Sequence, residues 1–231
     1  LFEGLWTPNN KAFDIGRTTM WAISNLRNGI EPKFAGLDGE KDNGNGSLMR
    51  IAPLIPYIYG LVEEQQIQII SEVSSLTHRH PRSILACIFL CKFAIQYLAT
   101  KEIPTAFAYT QKEIKYLLSQ EKFKNECSHF DRLVNLTYEQ FRNIAENDIK
   151  STGYVIDTLE ASLWSVFNHD SFKDSVLCAV NLGYDADTVG AITGALAGII
   201  YGHDSIPEEW LNVLARKEDI IELANKLDSV N

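Results

Sequence analysis

The sequence predicts an all-α fold, a compact multi-helix bundle of the kind in which helices pack on helices around one core. Three observations carry this. Apolar residues recur at three- and four-residue intervals along most of the chain. Alternating apolar–polar runs and tight hairpin signals are nearly absent. Only one extended irregular stretch, residues 30–47, interrupts the pattern. With 231 residues, 45% of them hydrophobic, the chain can bury a sizeable core. No repeat, linker or low-complexity segment divides it, so residues 1–231 read as a single all-α domain.

The helical periodicity places a first helix over residues 18–26. The stretch 30–47 then carries Gly36, Gly39, Gly44 and Gly46 with Asn43 and Asn45, too many backbone-permissive residues for a helix. Loops held on rigid scaffolds are where binding residues concentrate, so this is the first place to look for a site. Helices are expected next over 63–76 and 81–99, and then over 111–118, 138–146 and 154–167. The helix over 171–182 has punctuation at both ends: Ser171 with Asp174 reads as an N-cap and its acidic partner, and Gly183 as a left-handed stop. The last two are expected over 188–201 and 207–227, the latter with Pro207 where a first turn tolerates it.

A net charge of −9 works against affinity for a nucleic-acid backbone, which needs clustered Lys and Arg. The four cysteines, Cys87, Cys91, Cys127 and Cys178, form no CxxC pair and lie in apolar contexts. They are expected to be buried free thiols in a reducing, cytoplasmic setting. The most apolar stretches, 84–99 and 189–201, fall short of the roughly 20 residues a membrane span needs, and Lys92 and Gln96 interrupt the first.

The strongest local signal is Gly183-Tyr184-Asp185-Ala186-Asp187-Thr188. Two carboxylates and a hydroxyl at the start of a helix form a cluster of hard oxygen donors, suited to Mg²⁺ or Mn²⁺ rather than zinc. The plain alternative is that Asp185 and Asp187 cap the helix and complement its dipole. In the helix that follows, Gly190, Gly194, Gly198 and Gly202 recur at a four-residue spacing. Each interior Gly costs roughly 1 kcal/mol against Ala, tolerable if the smooth ridge lets another backbone come close. Upstream, the run 42–53 passes from the Gly-rich loop into an apolar segment. Asp42 and Asn45 offer polar groups, and Gly44 and Gly46 could turn main-chain N–H groups towards a diphosphate; a tight turn is the bland reading. Thr77-His78-Arg79-His80-Pro81 holds two histidines with no Cys, further His or carboxylate nearby in sequence, so a cap or a ribose contact by His78 is favoured over a zinc site. His129, His169 and His203 read as solvent or loop residues. No GxSxG or HExxH motif occurs.

Taken together, these segments resemble the ADP-ribosylglycohydrolase family. The matching pieces are residues 13–19, the GNGSLMRIAPL stretch, Thr77-His78, residues 153–161 and residues 181–202, in the family's order. The resemblance spans nearly the whole chain, with no matched motif over 101–150. Tyr184 departs from the Gly that many relatives hold. The sequence also lacks the family's N-terminal portion with its Thr-Asp-Asp-Thr-type cluster, so Leu1 is expected not to be the natural start.

The resemblance implies an all-α enzyme with two Mg²⁺ or Mn²⁺ ions that cleaves the glycosidic bond between ADP-ribose and a modified protein or small acceptor. By that resemblance Asp185, Asp187 and Thr188 are metal ligands, and Asp42 and Asp187 are catalytic. Asp42, Asn43, Asn45, Gly46, Ser47, His78 and Tyr154 line the ADP-ribose pocket. No nucleic acid and no membrane is expected as a partner. The alternative is a catalytically silent member, a structural (crystallin-like) or ADP-ribose-binding protein.

Overall fold

In the computed structural model, which describes Thr7 and residues 11–228, the periodic segments fold as helices and shorter helices appear between them. Helix α1 (Arg17–Arg27) and the short α2 (Pro32–Ala35) lead into the irregular stretch, which holds only single 3-10 turns at Glu40–Asp42 and Leu48–Arg50. Helices α3 (Leu54–Ile58) and α4 (Glu63–Ser75) precede the longest element, α5 (Pro81–Thr100), which is followed by α6 (Ile103–Leu118). Helices α7 (Asp131–Asn135) and α8 (Tyr138–Arg142) are single turns. The chain then forms α9 (Val155–Phe167), α10 (Phe172–Asn181), α11 (Ala186–Tyr201), α12 (Glu208–Val213) and α13 (Lys217–Asp228). Among the described residues there is no strand, only two isolated bridges, Leu37 with His78 and Gly44 with Tyr154. Both lie at the candidate site.

Helix α5 is the centre of the bundle. Its residues Leu85 to Cys91 are fully buried, and it packs against α4, α6 and α9. Phe89, Phe93, Phe107, Phe141 and Phe167 form a chain of tilted and edge-on rings between α5, α6, α8 and α9, with centroids 5.2–6.1 Å apart. Each such side chain contributes about 1.5–3 kcal/mol on burial, so this cluster dominates the core. At 20 residues α5 reaches the length and apolarity of a membrane span, which corrects the expectation that it falls short. Its apolarity is explained by packing within the bundle. Lys92, 4% exposed, pairs with Glu113 of α6 at 3.1 Å and donates to Gln66 of α4 at 3.0 Å.

Other boundaries move for identifiable reasons. Helix α6 starts at Ile103, well before residue 111, because Pro104 sits in its first turn, where a missing N–H costs nothing. The helix expected over 138–146 stops at Arg142. The one expected over 207–227 breaks in two: Leu214 is extended and Arg216 has φ +60°, with no Gly or Pro to mark the break. The capping expectations for α10 hold: the Ser171 hydroxyl accepts from the Asp174 N–H at 3.0 Å, and Gly183 has φ +79°. Cys87 and Cys91 are buried, but Cys127 is exposed and Cys178 half-buried, which corrects the expectation of four buried thiols. The glycine ridge is tight at one position only. A Cβ on Gly190 would lie 3.0 Å from Val180 of α10, whereas one on Gly198 would meet nothing.

Candidate functional site

The Gly-rich stretch is held from two sides. On one side Gly36 lies so close to the 75–78 turn that a Cβ would overlap the Ser75 carbonyl and crowd the Thr77–His78 peptide. There the Leu37 N–H donates to the Thr77 carbonyl at 3.3 Å, and the Arg79 N–H donates back to Leu37 at 2.8 Å. On the other side, the Asn45 N–H donates to the Gly153 carbonyl and the Val155 N–H to the Asn43 carbonyl, each at 3.0 Å. A loop that forms no regular structure of its own is thereby fixed between the start of α5 and the start of α9.

Asn45 ties this loop to the Asp-x-Asp-Thr segment. Its side-chain amide, 8% exposed with its residue, donates to Thr158 Oγ1 at 2.9 Å and to Asp185 Oδ2 at 2.5 Å, so both of its donors are engaged. Thr158 in turn donates to the Thr152 carbonyl at 2.9 Å. The other carboxylate oxygen, Asp185 Oδ1, accepts from Thr188 Oγ1 at 3.2 Å, and the Asp185 N–H donates to the Ser151 carbonyl at 3.0 Å. Asp185 occupies the N-cap position of α11, yet its side chain makes no capping hydrogen bond. The plain capping reading therefore fails for Asp185: its carboxylate faces Asn45 and the Gly153 turn, where a Cβ on Gly153 would lie 3.5 Å from Oδ2. Asp187, one residue into the helix, is exposed, and its Oδ1 accepts from the Thr188 N–H at 2.9 Å. Asp185, Asp187 and Thr188 thus offer a small set of hard oxygen donors. Among the described residues no three His, Cys, Asp or Glu side chains gather into a group that could hold a metal ion.

His78 lies across the glycines of the loop. A Cβ on Gly46 would stand 2.8 Å from its Cε1 and 3.3 Å from its Nε2, so only Gly lets the ring sit there. His78 is 3% exposed, and burial together with the Arg50 guanidinium pushes its pKa down to about 4, against a smaller upward pull from Asp42. It is neutral at physiological pH. The Asp42 carboxylate is clamped at the loop's edge: Oδ1 pairs with Arg17 of α1 at 2.5 Å and Oδ2 accepts from the Gly39 N–H at 3.2 Å.

Tyr154 faces a cavity of about 300 Å³ lined by Glu40, Lys41, Asn43, Gly44, Gly153 and Tyr154 itself. Its hydroxyl is 3.1 Å from His129 Nδ1, and the Arg82 guanidinium stands 5.8 Å from its ring. Arg82 is buried and bridges Glu126 and Glu40, each at 2.7 Å. Hydrogen bonding from Arg82 holds the Glu40 carboxyl below the usual carboxylate range. His129, read from sequence as a solvent or loop residue, is half-buried and helps fix the aromatic wall.

The sequence profile of the family described as ADP-ribosylglycohydrolase matches residues 2–231. The chain belongs to the ADP-ribosylglycohydrolase family. It is 35% identical over 225 residues to the ADP-ribosylarginine hydrolase Tri1 of Serratia proteamaculans, covering 96% of this chain and 56% of that protein. It is 28% identical to the ADP-ribosyl-[dinitrogen reductase] glycohydrolase of Rhodospirillum rubrum, over 92% of this chain and 64% of that one. A solved ADP-ribosylglycohydrolase-related protein complex superposes with a TM-score of 0.75 at 28% identity, covering 93% of this chain and 69% of the other. The chain therefore spans about half the length of the curated hydrolase it matches at 35%.

Within this family member, the structure brings Asn45, Gly46, His78, Tyr154, Asp185 and Thr188 to one face of the bundle through the contacts above. The side chains of two expected pocket residues turn inward. Asn43 Oδ1 accepts from Ser83 and its amide donates to the Glu40 carbonyl, at 3.0 and 3.1 Å. Ser47 is fully buried, with the Cys87 thiol 3.5 Å from its hydroxyl. Sequence reasoning gave no role to Arg17, Arg50, Thr77, Arg82 or Thr158. Arg17 and Arg50 sat inside matched motifs, and their charge beside a Gly-rich loop was the available signal. Thr158 lay inside the matched run 153–161, but nothing there pointed to its partner Asn45, 113 residues away.

Proposed function

We propose that this chain binds ADP-ribose at the face joined by Asn45 and takes part in hydrolysis of the bond between ADP-ribose and a modified arginine or related acceptor. The observation that carries the reading is the Asn45 amide on Asp185 Oδ2. It places a glycine loop able to receive a diphosphate beside an oxygen-donor cluster at the head of a helix. Two Mg²⁺ or Mn²⁺ ions, held in part by Asp185, Asp187 and Thr188, would supply Lewis-acid chemistry at the terminal ribose. The donor chemistry fits such ions, and the clamp from Asn45 and Thr188 fixes Asp185 in one orientation.

The chain's own residues do the rest in this reading. Tyr154, braced by His129 and Arg82, forms an aromatic wall for the nucleotide. The loop at Gly44 and Gly46, with His78 against it, receives the diphosphate. Hydrolysis forms a bond between a water oxygen and C1″ of the ribose and breaks the bond from C1″ to the acceptor nitrogen or oxygen. A carboxylate takes the water's proton, and the acceptor leaves with a proton. Asp42 is the acid–base candidate, and it must first give up its contact with Arg17. That contact favours a second reading, ADP-ribose binding without turnover, in which Asp42 stays paired. The ordinary setting for either reading is a reducing compartment, given four free thiols.

The test is calorimetry with ADP-ribose, ATP and NAD in the presence of Mn²⁺, followed by release of ADP-ribose from an ADP-ribosylated arginine protein. Preferred binding of ADP-ribose with release supports hydrolysis, and binding without release supports the second reading. Equal affinity for the three nucleotides, or none for ADP-ribose, would sink the pocket assignment.

A further inference from the structure

Arg50 is a half-buried cation that ties the glycine loop to the end of α4 and the turn after it. Nη1 donates to the Gly46 carbonyl at 2.5 Å, and Nη2 reaches Thr77 Oγ1 at 2.6 Å and the Val73 carbonyl at 3.3 Å. A guanidinium has no lone pair to offer, so the Arg50–Thr77 contact can run in one direction only: Arg50 donates and Thr77 Oγ1 accepts. The Thr77 hydroxyl keeps its own proton, and the other partner of Thr77 Oγ1 among the described residues is His78 Nδ1 at 2.8 Å. The second lone pair of Thr77 Oγ1 would allow it to accept from an Nδ1–H as well, but the hydroxyl proton would then have no acceptor among the described residues; with that proton directed at Nδ1, the single ring proton of neutral His78 belongs on Nε2.

We propose that Arg50 and Thr77 are positioning residues that fix His78 as the Nε2–H tautomer, so that a neutral N–H over Gly44 and Gly46 donates to a phosphate oxygen of the bound nucleotide. This rests on the ADP-ribose reading above for the identity of the ligand, but not for the tautomer. Among the described residues Nε2 has no hydrogen-bond partner, and it is not one of the polar atoms sealed from solvent. It lies 3.3 Å from where a Cβ on Gly46 would stand and 3.6 Å from one on Gly44, so the two missing side chains leave it room to reach a ligand. The burial and the Arg50 charge that hold the ring neutral also mean that the donor does not come and go between pH 5.5 and 8. An imidazolium contact to a phosphate would instead strengthen as the pH falls through about 6.5, the ordinary histidine value. The Arg50–Gly46 bond adds a geometric constraint, because the same guanidinium that sets the tautomer also holds the loop the ring rests on.

The experiment is long-range ¹H–¹⁵N NMR of the full chain labelled at histidine, with the His78 signal assigned by its loss in His78→Gln. The expected result is the Nε2–H tautomer from pH 5.5 to 8, and ADP-ribose affinity that is flat over the same range. Thr77→Val removes the hydroxyl and is expected to populate the Nδ1–H form and to weaken ADP-ribose binding at least fivefold. Thr77→Ser, which keeps the hydroxyl, is expected to restore both. An Nδ1–H tautomer in the wild type overturns the proposal, as does a Thr77→Val protein with unchanged tautomer and affinity. If Thr77→Val does not fold, the wild-type tautomer and the Thr77→Ser protein decide. The Nε2–H tautomer in a protein that binds no ADP-ribose would support the relay and overturn the ligand reading instead.

Discussion

Asn45 and Asp185, 140 residues apart, share a hydrogen bond of 2.5 Å in which the amide donates to Oδ2 of the carboxylate. It joins the glycine loop to the head of α11, and Thr158 of α9 accepts from the same amide. A hydrogen bond to a charged group contributes about 1.5–3 kcal/mol, so the contact is strong enough to decide where the carboxylate points.

Asn45→Ala is therefore expected to loosen Asp185 without unfolding the bundle. Loss of an outer partner of a metal-binding carboxylate typically costs about 10–100-fold in metal affinity, and the same is expected here for Mn²⁺. Stability should fall by about 1–3 kcal/mol, visible as a lower Tm with an unchanged helical circular dichroism spectrum. Asn45→Asp, which sets a carboxylate against Asp185, should be worse than Ala. Equal Mn²⁺ affinity in Asn45→Ala and wild type would mean that the clamp is not what orients Asp185.

Bound metal should also be legible as stability. A ligand present at about 100 times its Kd and binding only the folded state adds about 2.7 kcal/mol. Saturating Mn²⁺ is expected to raise the Tm of the wild type and to leave that of Asp187→Ala where it was, because the variant loses the exposed carboxylate at the first turn of α11 that is expected to ligate the ions. A thermal shift of the same size in both proteins would remove Asp187 from the ligand set.

Much of this arrangement was readable from sequence where the signal was local. The helix over 171–182 announced itself through Ser171 and Gly183 because both caps act within one turn of the helix they close. The Asp-x-Asp-Thr segment and the Asn-Gly loop were each visible as clusters of polar and permissive residues. What could not be read was their meeting, since neither spacing nor periodicity reports a contact across 140 residues. The resemblance to a family stood in for that information. The inward turn of Asn43 and Ser47 was hidden for a related reason: their partners, Ser83 and Cys87, lie on consecutive turns of α5, and only packing brings that helix under the loop. The break at Arg216 had no chemical marker at all, because Arg is not a residue type that favours the left-handed region it adopts there.

Gly46→Ala tests the room that His78 needs. The added Cβ would stand 2.8 Å from Cε1 of a ring whose other side is held by Thr77. Neither can retreat freely, since His78 is 3% exposed. Overpacking of this kind costs about 1–3 kcal/mol. The expected outcome is a Tm lowered in proportion and ADP-ribose affinity reduced, with Gly44→Ala milder because its Cβ would meet His78 Nε2 only at 3.6 Å. Measuring both variants by thermal denaturation and calorimetry checks the order. If Gly44→Ala proved the more damaging, the ring would not be resting where the loop places it.

The last prediction concerns a carboxyl outside the site. Glu160 of α9 is 6% exposed, and burial pushes its pKa up to about 7, against the pull of Arg132, whose guanidinium stands 3.1 Å away. Asp157, one turn earlier, pushes in the same direction as burial, and Lys150 pulls weakly the other way. The ordinary value of an unfolded glutamate is about 4.3, so between roughly pH 4.5 and 7 the folded chain holds a proton that the unfolded chain has lost. For a group whose folded pKa is raised, the stabilising contribution is complete below the unfolded value and disappears as the pH rises through the folded one. Stability must therefore fall across that window, by an amount on the order of 3–4 kcal/mol. Glu160→Gln keeps the shape and a hydrogen-bonding group but cannot titrate. The two proteins should have similar Tm values near pH 5, and the variant should become the more stable of the pair as the pH is raised to 8. Other titrating groups act on both proteins alike, so the difference between them isolates Glu160. A difference that stayed constant from pH 5 to 8, or one that grew in favour of the wild type, would show that Arg132 keeps this carboxyl ionised throughout.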